Sequence, residues 1–189
     1  MRRTRLSINI TDQLEAVIAD LCARVPAFAH INPRQLLLCL ARARSSGTGG
    51  TYAKIVPMRY PDGSPVKTIS GRHYALPQIP SPHGDILYLI YLYVPRFFEQ
   101  PFERRVLTLV HELYHIAPHF DGTIRRVSGR AHGTSRAVFN ANLQPLVDAY
   151  LTSQPSADLH LLRCDIRELS RQAALTGRSL PLPKAVRVG

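Results

Sequence analysis

Residues 106–117 read Val106-Leu107-Thr108-Leu109-Val110-His111-Glu112-Leu113-Tyr114-His115-Ile116-Ala117. Val106, Leu109, Val110, Leu113 and Ala117 recur at helical spacing and predict the buried stripe of a helix from about Glu99 to Ala117. Pro101 suits its first turn, Glu99 and Glu103 suit its positive end, and Pro118 with Asp121-Gly122 ends it. On such a helix His111 and His115 project about 40° apart, on one face. Two imidazoles so placed can share one tetrahedral zinc ion. Glu112 lies about 100° around the helix, beside the ion without binding it, where it can take a proton from metal-bound water. H-E-x-x-H would arise in roughly 1% of shuffled chains of this composition. The uncharged residues on either side argue for a buried helix rather than a surface pair of histidines.

Working outward, residues 85–94 form the clearest strand, aromatic and branched, stopped by Pro95. At a sheet edge beside the helix it would accept a peptide as an added strand; inside the sheet it is core. Residues 35–43 and 51–59 also read as strands, joined by a hairpin-type loop, Ser45-Ser46-Gly47-Thr48-Gly49-Gly50. That loop lacks a following Gly-Lys-Ser/Thr, so it reads as a turn and not a phosphate cradle. Residues 11–25 predict an amphipathic helix, with Leu14, Val17, Ile18, Leu21 and Val25 inward. Residues 60–84, with Pro61, Pro65, Pro77, Pro80 and Pro82, read as a long irregular segment bordering the site. His73 and His83 in it read as surface histidines. Helices are predicted over 134–152, where Phe139, Leu143, Leu146 and Tyr150 share a face and Pro145 would kink it, and over 158–174, basic on one side. Residues 177–189 read as an irregular tail. Strands followed by helices make an α+β domain, 1–189 as one unit.

The chain carries 24 Lys and Arg, 21 of them Arg, against 13 acids, a net charge of +11. That surplus admits nucleic acid or an acidic substrate as a partner. No zinc finger, basic–aromatic interleaving or helix-turn-helix signature accompanies it. Cys22, Cys39 and Cys164 form no C-x-x-C pair and read as buried thiols. The most apolar run, Ile86 to Val94, is too short for a membrane helix. A cytoplasmic protein is the expectation.

A catalytic zinc site takes a third protein ligand and keeps one position open. His119 continues the four-residue spacing, although Pro118 intervenes, and is a candidate ligand or electrophile. His132 follows the Asp121-Gly122 turn. No Glu lies between Glu112 and Glu168, and Asp148 sits mid-helix without a supporting pattern.

From His111 to Tyr150 the sequence resembles the phage metallopeptidase family, which is HExxH and zincin-like. The matching residues are His111-Glu112-Leu113-Tyr114-His115-Ile116, Phe120-Asp121-Gly122, Arg125-Arg126, Gly129-Arg130 and Ala131-His132-Gly133-Thr134-Ser135. A more distant similarity is to SprT-like zinc proteases, where a His-Gly after the motif supplies the third ligand. The resemblance implies a small, mostly antiparallel sheet packed on the HExxH helix, and zinc held by His111, His115 and His132. Glu112 is then the catalytic residue of a metallopeptidase. One departure is Asn140, which stands where the phage-type helix has Asp. Tyr114, His119, Arg125, Arg126 and Arg130 are candidates for a second electrophile. Tyr114 points away from the ligand stripe and reads as packing. Arg125 and Arg126 read as loop braces to Asp121 or Asp148. The competing readings are a nucleic-acid-associated protein, including a protease acting on DNA-bound proteins, and a catalytically silent zinc-binding protein.

Overall fold

The computed structural model describes residues 6–43, 50–126 and 136–189. The chain is α+β. Among the described residues, β1 (Ser7–Asn9) leads into α1 (Ile10–Arg24), then β2 (Leu36–Arg42) and β3 (Ala53–Pro57). Next come β4 (Val66–Ile69), β5 (Arg72–Ala75) and β6 (Tyr88–Val94), followed by α2 (Phe102–Tyr114) and α3 (Arg136–Thr152). Two short helices, α4 (His160–Arg163) and α5 (Ile166–Gln172), precede β7 (Ala174–Thr176) and β8 (Val186–Val188). No helix of the described residues is long and apolar enough to cross a membrane.

β6 organises the central sheet. Its residues are apolar on both faces, so it is most stable where both faces and both edges are covered. It lies between β2, parallel to it, and β3, antiparallel to it. β2 and β3 are therefore not a hairpin, because that pairing would leave β6 at an edge. The central sheet is mixed for the same reason, rather than mostly antiparallel. Tyr88, Ile90 and Leu92 join Leu36, Leu38, Ala53 and Ile55 in the main core, against α1 and α2. Leu89 and Tyr91 face the other way and pack with Cys39, Met58 and Ile86 under Ile79 and Leu180.

Residues 60–84 hold more order than their prolines suggest. β4 and β5 pair antiparallel around Ser70 and Gly71, both at positive φ (49° and 71°), as a tight hairpin turn requires. β8 pairs with β5, so 177–189 is not wholly irregular either. These strands are three or four residues long and mostly exposed, too short for hydrophobic alternation to reveal them. Ile79 packs on the sheet face away from α2, which puts that part of the segment behind the sheet and not beside the helix. His73 and His83 are exposed, His73 within β5. The helix predicted over 158–174 is two helices, broken at Cys164 and Asp165, where the Asp165 carboxylate caps α5 at Arg167 N. α3 runs through Pro145 as one helix. Cys22, Cys39 and Cys164 are free thiols, the first two buried, and burial pushes Cys22 up to about 12.

Two buried charges tie the helices together. Arg105, at the start of α2, donates to the carbonyls of Phe98, Gln100, Leu162 and Cys164, so its desolvated guanidinium is met by backbone dipoles. Asp20 in α1 accepts from Tyr150 Oη (2.9 Å), Ser156 N (3.1 Å), Ser156 Oγ and Arg24 Nε (2.8 Å), fastening α1 to the end of α3. Burial alone would raise its carboxyl, but the bonds from Ser156, Arg24 and Tyr150 outweigh it and bring the pKa to about 2. A carboxyl depressed on folding stabilises the fold fully above its ordinary 3.8 and loses that effect as pH falls towards 2. Asp20→Ala should lower stability by about 2–4 kcal/mol at pH 7, read from urea midpoints. The wild type should approach the variant between pH 4 and pH 2.

Candidate metal centre

α2 lays Val106, Leu109, Val110 and Leu113 into the core, each side chain burial contributing about 1.5–3 kcal/mol. This fixes the rotation of the helix, and with it the direction of the two imidazoles. The helix ends at Tyr114, three residues before the predicted end. Pro118 has no N–H and disfavours helical backbone at Ala117. The last turn instead tightens, with His115 N and Ile116 N bonding to the carbonyls of Glu112 and Leu113. His115 is the C-cap and keeps right-handed helical backbone (φ −71°, ψ −16°), so its ring stays one turn beyond His111.

The chain then doubles back. Phe120 (φ 50°) and Gly122 (φ 83°) reverse it, and residues 123–125 return beside 115–117 through Ala117 N to Thr123 O (3.2 Å) and Arg125 N to His115 O (2.7 Å). A Cβ on Gly122 would stand 2.6 Å from Arg59 Cγ, so both its φ and its surroundings require glycine. Tyr88 anchors the turn, accepting from Gly122 N (3.0 Å) and donating to Thr123 O (2.9 Å), and burial pushes its phenol up to about 12.

The three motif side chains are buried together. His111 Nε2 and His115 Nε2 are 3.1 Å apart. Two nitrogens at about 2.0–2.1 Å from one tetrahedral ion stand about 3.3 Å apart, close to the separation of this pair. The same separation makes a hydrogen bond when one ring carries the proton. Phe139 of α3 lies flat on His115, with centroids 5.4 Å apart and planes 9° from parallel, and meets His111 edge-on at 5.0 Å. Asn140, the next residue, places Oδ1 2.7 Å from His111 Nδ1. An amide oxygen can only accept, so Nδ1 carries the proton and Nε2 presents its lone pair.

Glu112 points to the sheet. Its Oε2 accepts from Ile55 N at 2.8 Å. Tyr52 and Met58 bond towards β6, so the N–H of Ile55, at odd register, points off the open edge of β3. The carboxylate takes that outward donor and is held beside both rings.

The chain matches no family model, no curated protein and no solved structure.

The structure brings His111, Glu112 and His115 together. His132 lies outside the described residues, as does Arg130. His119 is exposed on the turn after α2, off the helix. Among the described residues, no group of three or more His, Cys, Asp or Glu side chains could hold a metal ion. Tyr114 is packing, between Phe139 (5.7 Å) and the Arg125 guanidinium (4.4 Å). Arg125 therefore braces its loop through an aromatic face rather than Asp121 or Asp148. Asp148 bonds Gln144 within α3. Sequence reasoning did not foresee the bond from Asn140 or the outward N–H of Ile55. Asn140 had one signal, as a departure from the family pattern. Ile55 contributes a backbone group, which no side-chain pattern marks.

The predicted tautomer can be checked without metal. In ¹⁵N–¹H long-range spectra His111 should show a protonated Nδ1 and a bare Nε2. Asn140→Leu should shift it towards the mixture of a free imidazole.

Proposed function

We propose that the chain is a zinc-dependent metallopeptidase with a zincin-like site, hydrolysing peptide bonds. The observation that carries this reading is the pair of buried Nε2 atoms 3.1 Å apart with a buried carboxylate between them in sequence. A purely structural zinc site has no use for an unligated acid next to its ligands. His111 and His115 would hold the metal, and His132 is the third ligand the resemblance implies. Bound zinc polarises the scissile carbonyl and lowers the pKa of water. Glu112 takes the proton from the attacking water and delivers it to the leaving amine. Asn140 keeps His111 in the ligating tautomer. Phe139 excludes water from one side of the rings, which strengthens electrostatic effects in the site. β3, not β6, is the sheet edge next to α2, since β6 is paired on both sides.

Glu112→Gln keeps the size of the side chain and an oxygen for Ile55 N, so the fold and bound zinc should persist. Peptide hydrolysis should fall by at least about 100-fold. Wild-type protein should bind one zinc per chain, and a stoichiometry of zero would sink the proposal. Asn140→Leu should weaken zinc binding about 10- to 100-fold in chelator competition, and Asn140→Asp should tighten it.

A further inference from the structure

The small sheet of β4, β5 and β8 has two unlike faces. In its ladder Val66, Ala75 and Val186 stand in one row, and Lys67, Tyr74 and Arg187 in the next. Side chains alternate between faces, so Lys67, Tyr74 and Arg187 share a face, joined by Arg72 two residues before Tyr74. Lys67, Arg72 and Arg187 are exposed and Tyr74 is half-buried. Strands lie about 4.8 Å apart, which puts an aromatic ring between two cations about 10 Å apart.

This face has no acid near it in sequence. Neither Gly63 to Gly84 nor Leu169 to Gly189 contains Asp or Glu. None of the three cations is in an ion pair with a described residue, and the residues outside the description hold no acid. Other cations have structural work: Arg105 is bonded to carbonyls, Arg163 stacks on Phe102, and Arg178 pairs with Glu15. Lys67, Arg72 and Arg187 instead stand together on one face as a local positive field.

We propose that this face binds single-stranded nucleic acid, with a base stacked on Tyr74 and phosphates on Lys67, Arg72 and Arg187. Exposed cations flanking a half-buried ring suit a strand whose bases are free to stack. The patch spans three short strands, too little to follow a duplex groove. The three valines are on the opposite face, and Ile69 beside Arg72 is the one large aliphatic side chain on this one, too little apolar contact for a bilayer. The site is independent of the metal centre.

The test is fluorescence anisotropy of the full chain with labelled oligothymidylate across a salt series. Neutralising the trio (K67Q/R72Q/R187Q) should reduce the slope of log affinity against log salt by about 2, at about 0.7 per phosphate contact. Arg187→Glu alone should act in the same direction. Tyr74→Leu should weaken binding at least about fivefold, and Tyr74→Phe should leave it unchanged. The charge-matched control R34Q/R104Q/R171Q should keep most of the affinity. Circular dichroism should show all variants folded. The inference is overturned if the control loses as much as the trio variant, or if Tyr74→Leu binds like wild type. It is also overturned if the wild type binds phosphatidylserine vesicles or duplex in preference to the single strand.

Discussion

The hydrogen bond from Ile55 N to Glu112 Oε2 joins the open edge of the sheet to the helix that carries both imidazoles. A buried carboxylate without a donor costs several kcal/mol, and so does a buried N–H without an acceptor. Each removes the other's penalty here. The bond is available only when β3 takes the edge and shows its odd-numbered amides to α2. Helix rotation, strand order and the position of the acid are thus one constraint.

That constraint rests on β6. A strand with apolar side chains on both faces is stable only in the interior of a covered sheet. Placing it between β2 and β3 leaves β3 exposed on the side of α2. It also calls for a second layer behind the sheet, which Ile79 and Leu180 help to supply. Segments that appear loosely patterned in sequence are therefore needed for the site, although part of them lies on the far side of the sheet from it.

α3 completes the arrangement from the other side. Phe139 and Asn140 are neighbours in sequence and meet different rings, one by stacking and one by a hydrogen bond. A carboxylate at position 140 would make His111 a stronger donor of electron density to a metal. The amide keeps the orientation and the tautomer while adding no charge. At the other end of α3, Asp20 of α1 holds Tyr150 and, just past the helix, Ser156.

The motif helix, the placing of His111 and His115 on one face and the α+β class were legible in the chain. These depend on local spacing: 3.6 residues per turn and the alternation of a strand set them without reference to the rest of the chain. The tertiary structure decided that β6 is central and β3 the edge, because strand order depends on which faces can be covered. It placed His119 exposed, before a turn anchored on Tyr88. It also brought Asn140 and the amide of Ile55 to the motif. Their contacts span 29 and 57 residues, and one of the partners is backbone, so no spacing rule in the chain encodes either.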